Sequence, residues 1–136
     1  MISAETLYHI GSWTIAVLGA GHIGVDLAMR AKVGAPAIEQ QMAEFQVPLP
    51  GPIQRSLRDF HIGFSMMMGV LLIAFGTLNG ILVSQVGAAV AGSATFAGFN
   101  AAVCAVTFVL AYRFFFIVPV VASAVATACF AGALLV

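Results

Sequence analysis

The stretch from Phe60 to Val83, FHIGFSMMMGVLLIAFGTLNGILV, contains no Asp, Glu, Lys or Arg. A run of about 20 apolar residues is long enough for a helix to cross the ~30 Å hydrocarbon core of a bilayer. Further apolar runs of this length lie at about 7–29, 88–112 and 114–136. The sequence therefore predicts an all-α integral membrane protein with four spanning helices.

The composition of the whole chain is also typical of a membrane protein. Its 136 residues are 62% hydrophobic and only 7% charged, whereas about a quarter of the residues in soluble domains are charged. The formal net charge is zero, so no basic surface favours nucleic acid as a partner. The short connections after the second and third spans predict antiparallel neighbours, packed as one up-down bundle over residues 1–136.

The basic residues predict how the bundle is oriented. They all belong to the first or third connection: Arg30, Lys32, Arg55, Arg58 and Arg113. These two connections lie on the same side of an antiparallel bundle, and cytoplasmic loops are enriched in Lys and Arg. We therefore expect the 30–59 connection in the cytoplasm, both termini outside it, and, in a bacterium, a location in the inner (plasma) membrane.

The 30–59 connection has local structure of its own. Ile38, Met42 and Phe45 have the spacing of one face of a short amphipathic helix, which would lie on the membrane surface. Three prolines then favour an extended segment: Pro48, Pro50 and Pro52. Ser56 and Asp59 have the spacing of a capping box, which predicts that the second span begins here.

The first span contains Gly19-x-Gly21-x-x-Gly24, the spacing of the dinucleotide-binding fingerprint. That fingerprint requires an α/β unit with a second strand about 30 residues later, but every later apolar segment has the length of a membrane span. We therefore expect no bound dinucleotide. Small residues instead let membrane helices approach closely, as also at Gly76-x-x-x-Gly80, within the bundle or in a homo-oligomer surrounded by lipid.

Several ionisable side chains lie inside or beside the first two spans, where they are costly unless they have a partner or a wet cavity. His22 and Asp26 are about one turn apart on one face of the first helix. Asp59 and His61 lie at the start of the second helix. We expect these four side chains to form one polar layer near the cytoplasmic side, with Arg113 close by.

This layer has several chemical interpretations. His22 and His61 are suitable ligands for a transition metal or a haem iron, with Asp26 and Asp59 as further ligands or orienting groups. Met68, on the same helix face as His61, would be a soft ligand for copper.

The other interpretations need no metal. His22, tuned by Asp26, could carry acid–base chemistry on a lipid-like molecule or help to bind one. Alternatively, the same side chains only hold the bundle together, and the chain is a non-enzymatic membrane module or a subunit of a larger complex. The sequence does not decide whether the protein is an enzyme.

A second polar layer is predicted near the opposite side of the membrane. Asn79 and Asn100 lie at similar depths, and Tyr8 and His9 begin the first helix at that level. We expect hydrogen bonds between helices here. Together with Arg113, the two asparagines are the predicted polar packing residues.

Three segments share an ordered pattern: GAGHIG in the first span, RSLRDFHIGFSMMMG at the start of the second, and YRFFFIVPVVASA at the start of the fourth. Together they resemble a family of small uncharacterised bacterial four-span integral membrane proteins. The resemblance implies the fold and the bacterial inner membrane, but no activity. The marks of the pattern are His22, Asp59, Phe60, Gly63, Phe64, Ser65 and Pro119, whereas His61 stands at a variable position.

Overall fold

The chain is mostly helical in a computed structural model that describes residues 2–31, 37–48 and 50–136. Its longer helices are α1 (Ala4–Arg30), α3 (Leu57–Val86), α5 (Phe96–Phe114) and α6 (Ile117–Ala133). Two short helices lie in the connections, α2 (Ala37–Glu44) and α4 (Ala88–Ala91). Two-residue strands, β1 (Gln46–Val47) and β2 (Arg55–Ser56), pair antiparallel. Lys32, used above to predict the orientation, lies outside the described residues.

Within the described ranges, α1, α3 and α5 are long and apolar enough to cross a membrane. The helix α6 is also apolar but has only 17 residues. At 1.5 Å per residue it is about 25 Å long, less than a ~30 Å hydrocarbon core. The predicted helical class and three candidate spans are therefore confirmed, and the fourth helix is shorter than its apolar run.

Two helices begin later than the sequence predicts. The third long helix starts at Phe96 rather than near Ala88, because the short helix α4 ends at Ala91 with Gly92 as its C-cap, and glycine is a poor helix former. The fourth starts at Ile117. This start places Pro119 in the first helical turn, where its missing N–H costs no helical hydrogen bond.

The connection between α1 and α3 is only partly as predicted. Its amphipathic segment does form a helix, α2, but Phe45 lies just beyond its end. Ser56 is confirmed as the N-cap of α3, because its Oγ accepts a hydrogen bond from the Asp59 amide at 3.1 Å. The Asp59 carboxylate accepts a hydrogen bond from the same hydroxyl, at 2.8 Å, and not from the Ser56 amide as in a full capping box. Between the two strands, the described residues 50–52 form a bend and not the predicted extended stretch.

The four longer helices pack side by side in a row, and α1 is one of the two inner helices. The helix α1 packs against α3 on one side and α6 on another, and α5 packs mainly against α6. The order is therefore α3, α1, α6, α5, and the described parts of α3 and α5 have few backbone contacts with each other. We call the end of this bundle that carries residues 30–59 the connection end, and the opposite end the terminal end.

Glycines allow α1 and α3 to approach closely. A Cβ atom added at Gly76 would lie 2.5 Å from both the amide nitrogen of Ala16 and the carbonyl oxygen of Ser12. One added at Gly19 would lie 2.7 Å from the carbonyl oxygen of Gly69. Since the obstructing atoms are mostly backbone, no rotamer change can make room. The small-residue contact predicted between helices is thus present between α1 and α3.

The fingerprint glycines do not all serve this contact. Gly19 packs against α3, but a Cβ atom at Gly21 or Gly24 would meet nothing within 4 Å, and the same holds at Gly63 on α3. The glycine spacing therefore does not mark a single packed surface of this chain.

We expect Gly76→Ala to destabilise the fold and Gly63→Ala to leave it unchanged or slightly more stable. The first methyl group meets backbone atoms, and overpacking of this kind costs about 1–3 kcal/mol or more. The second enters open space, where replacing a helical glycine gains about 0.5–1 kcal/mol. Thermal unfolding of both variants in detergent measures the difference. Equal midpoints for the two variants would contradict the close α1–α3 contact.

Candidate functional site

His22 forms a polar contact between α1 and α3. Its Nε2 lies 3.0 Å from the Ser65 Oγ in a hydrogen bond whose donor depends on the imidazole tautomer. Both side chains are partly buried. Sequence reasoning did not pair Ser65 with His22, because the pairing depends on how the two helices are aligned.

The two carboxylates of the predicted layer have partners on their own helices. Asp26 is paired with Arg30, one turn further along α1. Asp59 accepts a hydrogen bond from Ser56, the N-cap of α3, and is exposed. Among the described residues, no group of three or more His, Cys, Asp or Glu side chains is placed to hold a metal ion.

His61 borders a small cavity of about 140 Å³ at the connection end, beneath α2. Asp26 borders the same cavity, and His22 does not. The Glu39 carboxylate lies 3.6 Å from the Arg58 Nε and so links α2 to α3.

The antiparallel alignment of α1 and α3 explains why the two histidines are separated. His22 lies opposite Ser65, and His61 is four residues earlier, about 6 Å nearer the connection end. Asp26 is displaced from His22 in the same direction along α1. The structure therefore brings His61 and Asp26 to one cavity and leaves His22 with Ser65.

Tyr8, Asn79 and Asn100 form a buried triad that joins α1, α3 and α5. The Tyr8 hydroxyl donates to Asn79 Oδ1 at 2.7 Å, and Asn100 Nδ2 donates to the Tyr8 oxygen at 2.6 Å and to Asn79 Oδ1 at 2.7 Å. Asn79 Nδ2 donates to the Phe75 carbonyl oxygen at 3.0 Å. The three side chains are at most 7% exposed. The structure thus brings together the two asparagines that the sequence placed at one depth.

The remaining long helix, α6, reaches the triad through an aromatic contact. The Phe130 ring packs edge-on against the Tyr8 ring, with centroids 4.9 Å apart and an interplanar angle of 82°. All four longer helices therefore meet at this point. Every buried polar side-chain atom in the described residues has a hydrogen-bond partner, which is the condition for stable polar groups in an apolar interior.

Arg113, the third predicted packing residue, has a different environment. It lies in the last turn of α5, and its side chain is exposed. The ion pairs found within the described residues join Arg30 to Asp26 and Arg58 to Glu39, and none includes Arg113.

A larger cavity of about 310 Å³ opens sideways between α3 and α5, on the connection side of the triad. Its α3 wall consists of Phe64, Met67, Met68, Leu71, Leu72 and Phe75. Its α5 wall consists of Val103, Cys104 and Thr107, and the buried Ile15 of α1 also lines it. Polar atoms contribute almost none of this surface. Met68, which the sequence suggested as a copper ligand, faces this apolar space.

Sequence reasoning missed the lateral cavity. The sequence signal was the repeat of large apolar side chains on one face of α3, but such a repeat is usually filled by a neighbouring helix. Whether a neighbour fills it depends on the separation of α3 and α5, which only the fold provides.

No protein-family model matches the chain, and no curated protein or solved structure is detectably similar to it.

We expect Tyr8→Phe to destabilise the protein by about 0.5–2 kcal/mol, because it removes one donor from Asn79 and one acceptor from Asn100. Tyr112→Phe is the matched control, since Tyr112 is 76% exposed. The free energy of unfolding in mixed micelles measures both changes. A double-mutant cycle of Tyr8→Phe with Asn100→Leu should give a non-zero coupling energy. Purely additive effects would contradict the triad.

Proposed function

We propose that this chain is a four-helix bacterial inner-membrane protein that binds the apolar chain of a lipid-like molecule in the cavity between α3 and α5. Three helices of sufficient length and apolarity support the membrane location. The packing of α6 against α1 and α5 supports its role as a fourth, short span. The sequence resemblance to small bacterial four-span proteins agrees with this assignment.

The orientation is part of the proposal. The connection end carries all the arginines, and Glu5 is the one acidic residue of the sequence near the terminal end. Because basic residues favour the cytoplasmic side, we place the connection end in the cytoplasm and both termini outside it.

The observation that carries the ligand proposal is the apolar cavity that opens toward the surrounding membrane. Phe64, Met67 and Leu71 on its rim are each at least 50% exposed. An unfilled apolar space forfeits dispersion contacts on all its walls, whereas an acyl chain entering from the bilayer restores them without desolvating any polar group. A volume of about 310 Å³ is at the small end of ligand pockets, which are about 300–1,000 Å³. It suits a single flexible chain better than a large ring system.

The geometry supports this ligand better than a metal or a haem. A haem held by two histidines requires both imidazoles to face one space, but His61 borders the cavity beneath α2 and His22 contacts Ser65. The His22–Ser65 pair lies instead near the connection side of the apolar cavity, since Ser65 is next in sequence to Phe64, which lines the cavity. In this proposal the pair closes the α1–α3 contact at that level.

A role as a non-enzymatic subunit of a larger assembly is the second candidate. It is favoured by Gly21 and Gly24, which are exposed on α1 and where an added Cβ atom would have no neighbour within 4 Å. Such a surface allows close approach of another membrane helix. The two candidates are separated by the ligand experiment below.

For the orientation, we expect Leu135→Cys to react with a membrane-impermeant maleimide in intact cells, and Gln54→Cys to react only after the inner membrane is permeabilised. Both positions are exposed. The unsubstituted protein is the control, because Cys104 is buried and Cys129 is partly buried. The reverse pattern of labelling would contradict the proposed orientation.

For the ligand, we expect Thr107→Phe to remove lipid from the cavity and Val106→Phe to have no such effect. Thr107 lines the cavity, whereas its neighbour Val106 is 61% exposed and does not. The protein is reconstituted into vesicles containing a phospholipid with a photoactivatable acyl chain, and cross-links are mapped by mass spectrometry. Cross-links at 64–75 and 103–107 should fall several-fold in Thr107→Phe alone.

Equal cross-linking of the two variants at these positions would contradict a lipid-binding cavity. Uniform cross-linking of all exposed apolar positions would also contradict a lipid-binding cavity, because it would indicate only the general lipid surroundings of a membrane helix. Either result would favour the assembly role.

A further inference from the structure

We infer that the turn between α5 and α6 contacts the lipid headgroups, and that α1 and α3 extend about 12 Å past this turn, out of the hydrocarbon core. The inference rests on the proposed membrane location and goes beyond it, because it states which surface of the chain binds the headgroup region. That surface consists of residues 112–117, which we call the aromatic turn.

The four longer helices differ in length, and the difference lies at the connection end. The triad and Phe130 mark one level of the bundle, because their side chains are in contact. From this level α1 continues for 22 residues to Arg30, or about 33 Å, and α3 extends equally far to Leu57. In the same direction α5 ends at Phe114 after 14 residues, or about 21 Å, and the first residue of α6 is Ile117. The helices α5 and α6 therefore end about 12 Å before α1 and α3 do.

The end of α5 is level with the contact between His22 and Ser65. The same separation of 14 residues leads from each member of the triad to this level: Tyr8 to His22, Asn79 to Ser65, and Asn100 to Phe114. The hydrogen bond between His22 and Ser65 confirms that α1 and α3 are aligned in this way. Nearer the connection end, α1 and α3 have no part of α5 or α6 beside them.

The backbone of the aromatic turn requires hydrogen-bond partners that hydrocarbon cannot provide. Phe115 and Phe116 have extended backbones, and α6 has no side-chain cap at its start in the described structure. The last carbonyl groups of α5 and the first N–H groups of α6 therefore need partners outside their helices. A bilayer matched to the full lengths of α1 and α3 would place these groups about 12 Å deep in lipid, where they would stay unpaired. Water and headgroups at the membrane surface can satisfy them.

The side chains of the aromatic turn also fit the headgroup region. Its large apolar side chains are 48–76% exposed: Tyr112, Phe114, Phe115, Phe116 and Ile117. Arg113 is exposed among them. Aromatic residues are enriched where membrane helices meet the headgroups, and an arginine there can extend its charged group to water.

The ionisable residues are divided at the same level. Between it and the triad, the sequence of the four helices contains no Asp, Glu or Lys, and its one Arg is Arg113 of the turn. The ionisable residues of α1 and α3 at the connection end all lie beyond this level: Asp26, Arg30, Arg58, Asp59 and His61. Charged side chains are costly in hydrocarbon, and the headgroup region adds only about 5–8 Å on each side of it. The small cavity beneath α2 therefore lies among the headgroups and the water beyond them.

Spin labels at matched positions test this boundary. Two pairs of exposed positions lie five residues, or about 7.5 Å, on either side of the level of His22 and Ser65: Val17 and Leu27 on α1, and Val70 and Phe60 on α3. Each is replaced by cysteine in a chain whose native cysteines are alanine, labelled with a nitroxide and reconstituted into phospholipid vesicles. Collisions with a water-soluble nickel complex are compared with collisions with oxygen, which concentrates in hydrocarbon. The nickel-to-oxygen ratio should be several-fold higher at Leu27→Cys and Phe60→Cys than at their partners.

The outcomes distinguish this inference from the membrane location on which it rests. Low ratios at all four positions would overturn the inference and leave the membrane location intact, because α1 and α3 would then lie wholly in hydrocarbon. High ratios at all four would overturn the membrane location itself. A label at Phe114→Cys should lie near the lipid phosphates, and a depth equal to that of Val17→Cys would contradict the position of the aromatic turn. Thermal unfolding of each labelled variant in detergent shows that the depths are measured on folded protein.

Discussion

The close approach of α1 and α3 decides which polar side chains meet between these two helices. Glycines at positions 19, 69 and 76 bring the two backbones together, and their positions fix which residues lie opposite one another. With that alignment, His22 lies beside Ser65 and Tyr8 lies beside Asn79. In a bilayer no hydrophobic effect holds helices together, so such packing and the hydrogen bonds it permits decide how the chain is arranged.

The contact between α3 and α5 is of the opposite kind. These helices are joined at the terminal end by the amides of Asn79 and Asn100 and otherwise stand apart, so an apolar cavity lies beside a polar junction. The triad needs close contact because every one of its donors and acceptors must be satisfied away from water. The apolar walls have no such requirement, since a lipid chain packs against them as well as a side chain does.

The sequence predicted the individual polar groups better than their partners. Asn79 and Asn100 were assigned to one depth from residue counts, and the structure brings them together. His22 and His61 were also assigned to one layer, but one helical turn separates their positions, and their surroundings differ. Depth along an axis follows from residue number. Which side chain of a neighbouring helix lies opposite a given residue depends on the axial offset between the two helices. A difference of one turn in that offset is enough to change the partner.

The mostly helical class, three of the membrane spans, the N-cap at Ser56 and the concentration of basic residues at one end of the bundle could all be predicted from the sequence. These follow from local composition and spacing, because each helix satisfies its own backbone hydrogen bonds whatever its neighbours are. The His22–Ser65 pair and the lateral cavity, in contrast, follow from the folded arrangement of the helices. Each depends on distances between helices, which are set by side-chain volumes on two elements at once and not by either sequence segment alone.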